Sequence, residues 1–207
     1  MSTTTQGTDP VGTHAPTRAG WRTVDVVVAS SIAVAFGVVF WAWGTLWNTV
    51  QPAFTGFPPA QGLMYGVWLV PGVLGALVLR KRGAAVYVEL VASIVSALLG
   101  TSWGLSVVMY GLVQGVAAEI VFAMALYASW RLHTAVLAGA LAGLGAALLD
   151  LVLYYADWSG GWQLTYAVLL AVSSAVVAGV GSWLLVRALA RTGVLSPFAA
   201  GADQARV

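Results

Sequence analysis

Cysteine is absent from the 207 residues, lysine occurs only as Lys81, and histidine only as His14 and His133. Without cysteine there is no disulfide, thiolate metal site or thiol nucleophile. A single lysine, enclosed in Arg80-Lys81-Arg82, leaves no Gly-Lys-Ser/Thr ending for a phosphate-binding loop, so the chain carries no ATPase motif of its own. The two histidines form no His-Glu-x-x-His pattern and give no serine an adjacent base, which argues against a zinc protease or a serine hydrolase. Charge is scarce as well: 8% of residues are charged, against roughly a quarter in a soluble domain. Nine Lys and Arg against seven Asp and Glu give +2, too small a surplus for a nucleic-acid footprint.

What the chain has in abundance is apolar surface, with 60% hydrophobic residues and a mean hydropathy of +0.89. Its solvent must be lipid. Long apolar runs, instead of short alternating segments, make the spanning elements helices rather than barrel strands. The runs cover roughly Val24–Leu46, Leu63–Leu79, Ala84–Leu99, Leu105–Ala128, Ala135–Tyr155 and Leu164–Leu189. At about 20 residues per span these predict an all-α integral membrane protein of six transmembrane helices. The first run is too long for a signal peptide and reads as a retained helix. Residues 1–20 and 197–207 read as disordered cytoplasmic tails flanking a membrane domain at 21–196. With both termini inside (N-in/C-in), all nine basic residues fall on the cytoplasmic side and the outer loops have none. The third run has only about sixteen residues, roughly 24 Å of helix, so its hairpin with the fourth is expected below the outer surface, flooring a cavity.

Aromatic residues are biased towards the outer half. Trp41, Trp43, Trp47, Trp68, Trp103, Trp158, Trp162, Tyr65, Tyr110, Tyr154, Tyr155 and Tyr166 map there, whereas Trp21, Trp130, Trp183, Tyr87 and Tyr127 map inside. Interfacial anchoring would populate both sides, so part of the outer set is expected to line a pocket for a flat or cationic ligand. Intramembrane carboxylates are functional candidates. Glu119, counted up from Arg131, falls about 18 Å above the inner interface, at the depth of a cavity floor, with Gln114 further out on the same helix. A buried structural role competes evenly for Glu119 and is preferred for Glu89, while Asp25 reads as a helix cap. Asp150, one turn before Tyr154, is the reserve acid. A small-residue stripe, Ala29, Ala33 and Gly37, would let another helix approach the first span closely.

Several ordered motifs resemble the YkoE family. They are Trp21-Arg22-Thr23-Val24-Asp25, Phe40-Trp41-Ala42-Trp43, Gly66-Val67-Trp68-Leu69-Val70-Pro71, Arg82-Gly83-Ala84-Ala85 leading to Glu89, Leu99-Gly100-x-x-Trp103-Gly104, Gln114-Gly115-x-x-x-Glu119-x-Val121-Phe122-Ala123, and Ala188 to Leu195. The resemblance implies an S-component bundle in a bacterial cell membrane, the substrate-binding subunit of an energy-coupling factor (ECF) transporter for thiamine or its hydroxymethylpyrimidine precursor. It also implies partners: a transmembrane coupling protein and two ATPase domains. No cofactor or metal is expected, and no enzyme activity. In such a protein Glu119 and Gln114 would hydrogen-bond an aminopyrimidine, with Trp41, Trp103, Tyr110, Tyr154 and Trp162 stacking and Asp150 in reserve. Ala29, Ala33 and Gly37 match the Ala-x-x-x-Ala face that docks the coupling protein. A stand-alone small-molecule permease is the alternative, and a membrane-embedded enzyme a distant third.

Overall fold

The structure, a computed structural model, describes residues 20–202, so the proposed tail at 1–20 lies, but for Gly20, outside the described residues. Helix α1 runs Thr23–Val50. Asp25 in its first turn accepts the Arg22 backbone N–H at 2.9 Å and the Arg22 guanidinium at 2.8 and 3.2 Å. This carboxylate closes the electropositive end of the helix that it belongs to. Lys81 Nζ lies 3.9 Å from Asp25 and donates to the Gly20 carbonyl, and Trp21 Nε1 donates to the Arg82 carbonyl. The start of α1 is thereby tied to the Arg80–Arg82 turn.

The second apolar run begins as a 3₁₀ helix, Pro58–Leu69, and continues as α2, Val70–Leu79. Twelve residues of 3₁₀ helix is long for a form usually confined to three or four. Lipid offers no water to unpaired backbone groups, so such a stretch survives only where neighbours supply partners. They do. Trp43 Nε1 donates to the Met64 carbonyl at 3.0 Å, and Ser173 Oγ donates to the Leu63 carbonyl at 2.6 Å and accepts the Gly66 N–H at 3.3 Å. At the junction with α2, Ser182 Oγ donates to the Val70 carbonyl and Glu89 Oε2 accepts the Gly72 N–H at 2.7 Å. Every residue from Pro71 to Leu79 is buried, which makes this span the axis of the bundle.

Around that axis stand α3 (Ala84–Leu98), α4 (Ser106–Met124), α5 (Leu132–Leu153) and a last span made of α6 (Gly160–Ser174), a π-helical stretch (Ala175–Gly181) and α7 (Ser182–Arg191). Among the described residues five helical segments are long and apolar enough to cross a membrane, and α3 is a shorter apolar helix of 15 residues. The π-helical stretch begins just after Ser174, whose hydroxyl donates back to the Leu170 carbonyl at 2.7 Å, a bond type that bends helices. There Gly139 of α5 sits so close to the Ser174 carbonyl and the Gly179 nitrogen that a Cβ would fall 2.5 and 2.9 Å from them. The two helices meet backbone to backbone, as small residues permit in lipid.

Two expectations need correction. The Ala29, Ala33, Gly37 stripe is not free for a partner. All three residues are buried, and a Cβ on Gly37 would lie 2.5 Å from Val95 of α3 and 2.9 Å from the Ala92 carbonyl. The small side chains are used within the chain, bringing α1 onto α3. At the other terminus, the tail expected from 197 is partly folded: α8 (Ala199–Ala202) packs on α2 and α7, and Phe198 and Ala200 are buried.

Ala33→Leu should therefore act on the fold. Overpacking α1 against α3 is expected to remove about 1–3 kcal/mol and to lower the melting temperature of the detergent-solubilised protein. An unchanged melting temperature would contradict this packing.

Candidate functional site

At the end of the bundle remote from Arg80–Arg82, the helices part around a cavity of about 250 Å³. Each wall follows from a helical period. Phe40 and Trp47 are seven residues apart on α1, Ser93 and Ser96 three apart on α3, and Tyr110 and Gln114 four apart on α4. Tyr65 and Trp68 share a wall because the 3₁₀ helix repeats every three residues. The turn between α3 and α4 supplies Trp103, with Gly100 and Gly104 on either side at φ of 81° and 57°. These left-handed positions suit glycine, and the turn brings the indole into the lining.

At the centre is Asp150 of α5, 5% exposed. Tyr110 of α4 donates to Oδ1 at 2.5 Å and Tyr166 of α6 donates to Oδ2 at 2.6 Å. Both carboxylate oxygens are thus held, each with further lone pairs for a ligand donor. The rings around it meet edge to face: Trp47 and Trp68 have centroids 5.4 Å apart, Trp68 and Trp103 5.6 Å, and Tyr155 and Tyr166 5.2 Å. Aromatic rings in a cavity lining attract a flat or cationic guest. Tyr155, in the turn after α5, has its phenol pushed up to about 12, first by burial and then by the charge of Asp150. It remains a neutral donor at physiological pH.

Of the residues singled out in the sequence, Gln114, Trp103, Tyr110, Asp150 and Tyr154 line this cavity together. Glu119, expected at the cavity floor, does not line it. Its Oε1 accepts the Gly83 N–H at 2.6 Å and the Tyr127 hydroxyl at 2.9 Å, and its Oε2 accepts the Ala85 N–H at 2.9 Å. Gly83, the residue that precedes α3, has no side chain to cap it, so α4 provides the carboxylate that the free N–H groups need. Trp41 is 42% exposed and lines a neighbouring groove with Asn48 and Ser102. Trp162, also 42% exposed, packs edge-on against Trp158 outside the lining. Glu89 is buried at the junction described above, and its Oε1 has no partner among the described residues. Sequence reasoning grouped Tyr65, Trp68, Tyr155 and Tyr166 with the outer aromatics without selecting them. It passed over Ser93 and Ser96, whose three-residue spacing on an otherwise apolar helix was the available signal.

The chain matches the family model described as the ABC-type cobalt transport system, permease component, over residues 24–145. It is 34% identical over 184 residues to YkoE of Bacillus subtilis (strain 168), named an HMP/thiamine permease protein, covering 88% of this chain and 92% of that one. A crystal structure of an S-component of an ECF transporter superposes with a TM-score of 0.86 at 32% identity, over 90% of this chain and 94% of the other.

Because Glu119 closes the start of α3 and stands apart from the cavity, Glu119→Gln should cost about 1–2 kcal/mol of stability. Thermal unfolding in detergent reads this loss. The emission of the cavity tryptophans in the folded variant should match that of the parent, and a shifted emission would tie Glu119 to the cavity instead.

Proposed function

The chain belongs to the YkoE family, among the permease components described for ABC-type cobalt transport systems, and from this premise we propose how it works. It is the substrate-binding S component of an ECF-type importer, and it captures thiamine or its hydroxymethylpyrimidine precursor. The observation that carries the reading is Asp150, a buried carboxylate held by two phenols inside an aromatic cavity. An aminopyrimidine presents an amino group for such an acceptor and a flat ring for the indole and phenol faces, and a thiazolium adds a cation for both. Gln114, on the same wall as Tyr110, both donates and accepts, which suits a ring nitrogen beside an amino group. In this assignment Asp150, Gln114, Tyr110, Trp103 and Tyr154 contact the ligand, and Tyr65, Trp68 and Tyr166 join them. A cobalt ion would find poor ligands here, since a lone carboxylate without histidine or cysteine is not the nitrogen- and sulfur-rich set that such a metal favours.

The cavity end faces outward in this reading and the basic end faces the cytoplasm, with both termini inside and α3 completing six spans. Among the described residues no Lys or Arg lines the cavity, which supports that orientation. With no nucleotide-binding loop in the chain, uptake draws its free energy from a transmembrane coupling protein and two ATPase domains. A self-contained permease would import its substrate without them.

Purified protein should quench its tryptophan fluorescence saturably with thiamine or hydroxymethylpyrimidine. Asp150→Asn should weaken that binding by about ten- to a hundredfold, or about 1.5–3 kcal/mol. No saturable response to either compound in folded protein would dismiss the reading.

A further inference from the structure

The cavity's lining holds an acid and no base. Asp150 is its sole carboxylic acid, and none of its residues is Lys, Arg or His. The other polar groups there, among them Ser93, Ser96 and Gln114, are uncharged amides and hydroxyls. The sequence extends this to the whole rim: residues 47–66, 99–106 and 153–163, which form that end of the bundle, contain no Lys, Arg or His and add a second acid, Asp157.

A phosphate monoester carries about −1.5 to −2 charges at pH 7 and is normally met by Arg, Lys or a free helix N-terminus. Helix α4 does begin at the rim. Its Ser106 hydroxyl, however, is turned back to the Trp103 carbonyl at 2.8 Å, and one helix end supplies only about half a charge against the ester's −1.5 to −2. A carboxylate beside a phosphate adds like-charge repulsion, which grows as solvent is excluded.

We propose that this cavity selects by charge: it accepts the unphosphorylated pyrimidine or thiamine and rejects their phosphate esters, and Asp150 sets that choice. The proposal rests on the ligand reading given above. It places a hydrolytic step ahead of capture. Where the external source is an ester, water must attack phosphorus, the alcohol oxygen leaves and takes up a proton, and inorganic phosphate is released before the vitamin can bind.

The test is to titrate the full chain in detergent at pH 7.5 with thiamine, thiamine monophosphate, hydroxymethylpyrimidine and its phosphate, following tryptophan quenching. A parent compound should bind at least a hundredfold more tightly than its ester. In Asp150→Asn the parent should weaken and the gap should shrink below tenfold. Gln51→Lys, which puts a cation at the rim, should raise ester affinity at least tenfold and reports on the same point should Asp150→Asn not fold. Parent and ester binding within threefold of each other would overturn this inference alone, as would a gap that neither variant narrows. Absence of binding by all four compounds would overturn the ligand reading together with it.

Discussion

In hydrocarbon a backbone N–H or C=O without a partner is expensive, and the 3₁₀ helix at Pro58–Leu69 turns that rule into the organising constraint of this molecule. Its carbonyls and amides draw in Trp43 from α1, Ser173 from the last span and, at the junction with α2, Ser182 and Glu89. Those four contacts set where α1, α3 and the last span stand relative to the axis. The threefold repeat of the same segment puts Tyr65 and Trp68 side by side in the cavity wall. The element that most needs its neighbours therefore shapes the site as well.

The acids divide their labour accordingly. Asp25 closes the start of its own helix, Glu119 closes that of α3, and Glu89 takes an N–H at the start of α2. Asp25 serves its own helix, whereas Glu119 and Glu89 reach across to amides of a neighbouring helix that no local side chain satisfies. Asp150 alone among the described intramembrane acids meets hydroxyls only, both from cavity-lining tyrosines. A carboxylate held by phenols retains acceptor capacity for a guest, whereas one committed to backbone amides at a helix end is spent on the fold.

Much of this was legible from residue order. The apolar runs, the short third helix and the one-sided aromatics are properties of composition along the chain. Depth and facing were not. The height assigned to Glu119 assumed that the helix continues to Arg131. In fact α4 ends at Met124, and Leu126 and Tyr127 turn left-handed at φ of 53° each. Glu119 thus lies only about 8 Å of helix from that end, level with the start of α3. The small-residue stripe misled for a related reason. Close approach of backbones is encoded, but which helix approaches is decided by the three-dimensional arrangement, and α3 takes the place expected for a partner. The 3₁₀ and π-helical stretches have no signature in hydropathy, because both are stabilised by contacts distant in sequence.

The shortness of α3 has a consequence for the lipid itself. Its 15 residues span about 22 Å, against roughly 30 Å of hydrocarbon, and the turn that follows is flanked by Leu98 and Leu105, exposed to 81% and 82%. In a bilayer such leucines are best solvated by acyl chains, and a helix this short is met by thinning of the leaflet, at a fraction of a kcal/mol for each ångström of mismatch. The same turn carries Trp103 into the cavity lining. Bilayer thickness therefore bears on a segment that belongs to the site, and a change of acyl-chain length would be felt first at that indole.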